Sequence, residues 1–155
     1  MSKIHATAII DPSAELADDV EVMPYTIIEE QVHIGPGCII GPHCVIGKGT
    51  VMGKNNRTYS GAQIGAAPQD LKHLNDAIGK TLIGDNNTFR ESVTISSSTV
   101  YSPEDTGKAT RIGDNCLFMA CSHVAHDCTV GSRVILANSA ALAGHVEVED
   151  GAILG

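Results

Sequence analysis

A six-residue rhythm runs through nearly the whole chain. From Ile4 it divides into IHATAI, IDPSAE, LADDVE, VMPYTI, IEEQVH, IGPGCI, IGPHCV, IGKGTV, MGKNNR, TYSGAQ and IGAAPQ. The register lapses after Gln69, resumes at Ile83 with IGDNNT, FRESVT and ISSSTV, and lapses again at Tyr101. It returns at Ile112 with IGDNCL, FMACSH, VAHDCT, VGSRVI, LANSAA, LAGHVE and VEDGAI, for 21 units in all. Each unit opens on a hydrophobic residue, Thr58 excepted; the second position is often Gly and the fifth small, as Ala, Val, Thr or Cys. Repeats of this kind decide a fold before any local propensity does.

A unit of six is one short strand and a turn, so only its first and fifth positions point inward. Three units close a triangle, and successive coils stack at the inter-strand spacing of roughly 4.8 Å. The pattern predicts an all-β parallel β-helix of about seven coils and ~33 Å. Residues 1–155 form one domain in this reading, with loop insertions at 70–82 and 101–111.

Composition agrees. The chain is 43% hydrophobic with no Trp, two Phe and three Tyr, so its interior is filled by aliphatic side chains and Cys, which suits a narrow, uniform core. Cys38, Cys44, Cys116 and Cys128 fall at fifth positions and behave as small hydrophobes, whereas Cys121 at a fourth position faces out. An odd count of five without CxxC spacing is no disulfide framework and points to a reducing cytoplasm. A net charge of −8 argues against a general nucleic-acid surface. No run approaches the ~20 apolar residues of a membrane span, and the amino terminus lacks the charged-then-apolar order of a signal peptide.

Sorting the units into three columns gives the chemistry a place. One column holds IGAAPQ, ISSSTV, VAHDCT and LAGHVE, and both insertions leave directly after its units. His126 and His145 then project from one edge of the prism a coil apart, beside Asp127, the Gly144 backbone and both loops. Loops on a rigid scaffold are where function concentrates. His5, His33, His43 and His73 read as surface residues, and Arg90–Glu91 as an exposed ion pair of little energetic weight. Zinc is one reading, but the three-residue spacing of His123 and His126 puts them in opposing directions, so no metal is assigned. An imidazole oriented by a neighbouring carboxylate suits a general base better, with a Gly144 N–H aimed at a developing oxyanion.

The pieces IHATAI, IGAAPQDLK, IGDNNTFRESVTI, HVAHDCTVG and ILANSAALAGHVEVEDGAILG resemble the UDP-N-acetylglucosamine acyltransferases of lipid A biosynthesis, over essentially the whole chain. The resemblance implies left-handed winding, against the right-handed rule for parallel crossovers, and a cytoplasmic homotrimer with active sites between subunits. It implies transfer of a 3-hydroxyacyl chain from acyl carrier protein to the sugar 3-hydroxyl. No cofactor is needed beyond the carrier's phosphopantetheine. By motif position His126 is the base, Asp127 its orienter and Gly144 the oxyanion donor. Gln69, Asp70, Lys72, His123 and His145 contact substrate.

Two departures qualify the match. Ser96 and Ser97 stand on the site edge where the family usually has His-Arg, and the family continues beyond the equivalent of Gly155 with further coils and a helical domain. A catalytically silent β-helical trimer is therefore the second reading, and a zinc-dependent carbonic anhydrase the third. An acidic carrier docking on this chain needs a basic patch, for which Lys72, Lys80, Lys108 and Arg111 are candidates.

Overall fold

The computed structural model describes residues 3–155. Among them no helix forms, and 22 short strands run from β1 (Lys3–Ile4) to β22 (Ile153–Leu154). They fall into three parallel sheets in which every third strand is a neighbour: one sheet of eight strands and two of seven. That order is a coil of three faces, the parallel β-helix expected.

The burial follows the repeat. First-position Ile28, Ile40, Ile46, Ile64, Ile95, Val124 and Leu136 are buried, as are fifth-position Val20, Val32, Cys38, Cys44, Val93, Cys128 and Val134. Cys121 is exposed. The fourth position is where the chain turns: Asn55, Asn86, Asn115, Asp127 and His145 all adopt left-handed φ values between 55 and 63°. The turn splays positions three and four outward, while the small residues at position two let the next coil pass close above.

The two Phe share one column. Phe89 and Phe118 stack with centroids 5.0 Å apart and planes 8° from parallel. Thr58, the exceptional first-position residue, pairs in register with Phe89, so a small side chain sits next to a ring. The core keeps its density by alternating volumes.

Two expectations need correction. The insertions end earlier than 82 and 111, because β12 (Lys80–Ile83) and β15 (Ala109–Ile112) pair residue for residue, Lys80 with Ala109 through Ile83 with Ile112. Thr81 and Thr110 occupy inward fifth positions of units whose first residues, Ala77 and Thr106, are not large aliphatics, which hid the rhythm there.

The fifth position is also not reserved for small or apolar residues. Asn56 and Asn87 are buried in one column. The Asn87 N–H donates to Asn56 Oδ1 at 2.9 Å, and Asn87 Oδ1 accepts from the Cys116 N–H at 2.8 Å. Their Nδ2 groups donate to the carbonyls of Gly84 and Gly113, at 2.8 and 2.9 Å. Each amide thus ties a turn to the coil above. Asn87→Leu strands the Cys116 N–H and the Gly113 carbonyl inside the prism. It is expected to cost about 2–4 kcal/mol in urea unfolding, against a change within about 0.5 kcal/mol for Asn75→Leu on the exposed loop.

Candidate functional site

Strands β11 (Gln63–Ala66), β14 (Thr94–Ser96), β17 (His123–Val124) and β20 (Ala141–Leu142) are consecutive in one sheet, with Ile64, Ile95, Val124 and Leu142 in register. The predicted column is therefore real. The chain leaves this sheet at one corner, and at that corner both insertions emerge and His126, Asp127, Gly144 and His145 stack.

His126 Nδ1 lies 2.9 Å from Asp127 Oδ2. The Thr99 hydroxyl donates to that same oxygen at 2.6 Å, and the Thr99 N–H approaches both carboxylate oxygens at 3.3 Å. The Asp127 N–H donates to Thr110 Oγ1 at 2.9 Å, fixing the backbone from below. Burial opposes ionisation of Asp127, but the hydrogen bonds from Thr99 and His126 outweigh it and hold its carboxyl below the usual carboxylate range. An ionised carboxylate only accepts, so the proton between the pair belongs to Nδ1, and in the neutral imidazole it is Nε2 that carries the lone pair.

Nε2 faces the first insertion. Asp70 Oδ2 is 3.9 Å from His126 Nε2. The Lys72 N–H holds Asp70 Oδ1 at 2.8 Å and the Tyr101 hydroxyl holds Oδ2 at 2.9 Å. These two donors, Lys72 first, draw the Asp70 carboxyl below its ordinary range. His145 stands edge-on to His126 with centroids 5.1 Å apart, and its Nε2 is 3.8 Å from Asp127 Oδ2. The His145 N–H is committed to the His126 carbonyl at 3.1 Å, whereas the Gly144 N–H makes no hydrogen bond among the described residues. A Cβ on Gly144 would sit 2.6 Å from His126 Cε1, so the ring occupies space that only glycine leaves.

The remaining expected residues scatter. His123 lies on the sheet face, half-buried, 2.7 Å from the Thr94 hydroxyl; burial pushes its imidazole down. Gln69 and the Lys72 side chain are exposed. Ser96 and Ser97 are buried rather than on the site edge. The Ser97 N–H donates to the Ala66 carbonyl at 2.8 Å, and Ser97 lines a cleft of about 340 Å³ with His73 and Ala77. In the basic patch Lys108 is already paired with Asp105 at 2.8 Å, leaving Lys72, Lys80 and Arg111 exposed.

Sequence reasoning missed Thr99, Thr110 and Tyr101, the first because inward fifth positions read as filler, the other two because they fell inside an assigned loop. His73 was also more than a surface residue, since its Nδ1 accepts from the Val100 N–H at 3.0 Å and joins the two insertions. His126, Asp127 and His145 present ligand atoms within 4.8 Å of one another and are the residues that could hold a metal. The set is two imidazoles and a carboxylate already engaged by Thr99 and His126, not the three imidazoles of the zinc reading.

Known proteins sharpen the picture. The bacterial transferase hexapeptide model, a set of six repeats, matches residues 13–48 and 109–144. The acyl-[acyl-carrier-protein]–UDP-N-acetylglucosamine O-acyltransferase of Campylobacter concisus is 42% identical over 155 residues, covering 100% of this chain and 58% of that one. The same-named protein of a Janthinobacterium species is 52% identical over 155 residues, covering 100% and 57%. Along its whole length this chain matches UDP-N-acetylglucosamine acyltransferases. The crystal structure of the Francisella novicida UDP-N-acetylglucosamine acyltransferase superposes with a TM-score of 0.91 at 38% identity, covering 97% of this chain and 53% of that one. LpxA from Acinetobacter baumannii gives 0.91 at 43%, covering 98% and 57%. Agreement that close requires one hand of winding, so the coil is the left-handed one expected. The chain spans somewhat over half the length of the acyltransferases it matches. Among the described residues no helix is long and apolar enough to cross a membrane.

Two measurements probe the geometry. Gly144→Ala places a methyl against the His126 ring, and is expected to shift the His126 imidazole signals in NMR while leaving the circular dichroism of the β-helix unchanged. Asp127 ionises more readily folded than unfolded, so its stabilisation is present above the unfolded carboxyl pKa of about 3.9 and is lost as pH falls through the lower folded value. Asp127→Asn should therefore unfold at lower urea than the unmodified chain at pH 7, with the gap closing below about pH 4.

Proposed function

We propose that this chain carries the acyl-transfer site of a UDP-N-acetylglucosamine O-acyltransferase, the enzyme of the first step of lipid A biosynthesis. Its donor is a (3-hydroxy)acyl group on the phosphopantetheine of acyl carrier protein, and its acceptor the sugar 3-hydroxyl. The observation that carries this reading is His126 Nε2 facing Asp70 across 3.9 Å. That gap is too long for a direct hydrogen bond and leaves room for a hydroxyl whose single O–H is shared between the two acceptors.

His126 takes the proton of the bridging hydroxyl as its oxygen attacks the thioester carbonyl. Asp127 stabilises the imidazolium that forms, and the unengaged Gly144 N–H receives the oxyanion of the tetrahedral intermediate, a contact worth about 3 kcal/mol in comparable sites. Collapse breaks the C–S bond, and the proton on Nε2 passes to the departing sulfur. No metal or other cofactor is required. Asp70 orients the acceptor, while Lys72, His123, His145 and Gln69 supply polar contacts to sugar, phosphate or acyl hydroxyl. A homotrimer in the cytoplasm is the assembly proposed, and Ile9 and Ile27, in register and exposed, are apolar surface that an interface would cover. Docking of the carrier falls to Lys72, Lys80 and Arg111.

The test is thioester consumption with UDP-N-acetylglucosamine, comparing the chain with His126→Ala. Loss of a general base is expected to lower the rate by about 10²–10⁴-fold. Equal rates overturn the base assignment, and no turnover by either protein points to the silent β-helix.

A further inference from the structure

The Tyr101 phenol reaches from the second insertion to a carboxylate of the first, and the acyl-transfer steps above give it no part. Its hydroxyl donates to Asp70 Oδ2 at 2.9 Å, the oxygen that faces His126 Nε2. The other oxygen is held by the Lys72 N–H of Asp70's own loop. Each carboxylate oxygen thus has one donor, and the donor on the reactive side comes from the second insertion.

That second insertion is built to hold the ring still. Asp105 Oδ2 accepts from the Tyr101 and Ser102 N–H groups at 2.7 and 3.1 Å, closing a tight turn. Asp105 Oδ1 pairs with Lys108 at 2.8 Å, and the Lys108 ammonium lies 5.3 Å from the centre of the Tyr101 ring. The first insertion is also tied to the root of the second: the Val100 N–H donates to His73 Nδ1 at 3.0 Å, and the Leu74 N–H to the Val100 carbonyl at 2.8 Å. The two insertions are one clamp, with Tyr101 as its contact to the chemistry.

We infer that Tyr101 is a positioning residue, which fixes the Asp70 carboxylate so that a hydroxyl entering between Asp70 and His126 is held in line for deprotonation. Without the phenol oxygen, Asp70 Oδ2 is free to rotate away while Oδ1 stays on Lys72. The groups facing Asp70 are Lys72, Tyr101 and His126, with Asp127 beyond the imidazole. Of these, Tyr101→Phe removes only one donor and keeps the ring over which Lys108 lies.

The inference rests on the acyl-transfer reading for its catalytic consequence but not for its geometry, so two readouts are paired. In steady-state kinetics, Tyr101→Phe is expected to lower kcat about tenfold with KM for the sugar nucleotide changed less than about twofold, as for loss of a hydrogen bond to a charged group. The acid limb of the kcat/KM profile should move to higher pH, because a carboxylate that loses a donor is harder to ionise. Tyr101→Phe added to Asp70→Asn should cost little more than Asp70→Asn alone. In carboxyl-detected NMR of the full chain, the Asp70 titration midpoint should rise in Tyr101→Phe and stay put in Tyr59→Phe. An unmoved Asp70 midpoint overturns the proposal even if the chain turns nothing over. An unchanged kcat and pH profile in an active chain overturns it as well. If the unmodified chain consumes no thioester, the functional reading fails and the NMR result alone decides whether Tyr101 holds Asp70.

Discussion

Backbone pairing between coils in strict register is the interaction on which the rest of the molecule depends. Most strands hold only two residues, far too few to stand alone, and each is kept in place by the strands above and below it in the same face. Because the pairing is parallel and repeats at each turn, residues equivalent within the unit stack at one spacing along the prism. Everything placed at a given position of the repeat therefore forms a vertical file. The chain makes hydrophobic files inside and chemical files outside.

The site is a consequence of two such files meeting at one corner. Position three of VAHDCT gives His126, and position four gives Asp127 in a left-handed turn that swings its carboxylate back beside the imidazole. One coil later the same positions are Gly144 and His145. Glycine at that level clears space for the ring below, and histidine beside it adds a second imidazole. The insertions leave from the same corner one and two coils earlier, which brings Asp70 and Thr99 to opposite ends of the dyad. Distances of 2.6 and 2.9 Å around Asp127, against 3.9 Å between His126 and Asp70, separate the part that is preassembled from the gap that a reactant fills.

How much of this the sequence announces follows from the same geometry. The inward file constrains residue type so strongly that its rhythm is visible at a glance, and the histidine corner follows by counting. What counting cannot supply is any bond whose partner is chosen by height rather than by type. Asn56 and Asn87 look misplaced in a hydrophobic file until the coil above offers a carbonyl and an N–H at the right level. Thr99 looks like a packing residue until its hydroxyl is seen on the Asp127 carboxylate. Thr81 and Thr110 read as loop residues because their units open on Ala77 and Thr106, where the rhythm lacks a large aliphatic side chain. Tyr101 sits in a stretch with no period at all.

The asparagine file and the histidine dyad occupy different corners, with Asn56 and Asn87 two coils and one coil before the dyad. One corner runs from Asn56 to Cys116 and is held by amides that point inward; the other carries the insertions and points its polar groups out. A solenoid couples neighbours chiefly along its axis, and strand β15 links the two edges directly, from Thr110 beneath Asp127 to Gly113 beside Asn87. The prism thereby divides its labour by azimuth, with cohesion on one bearing and reactivity on another.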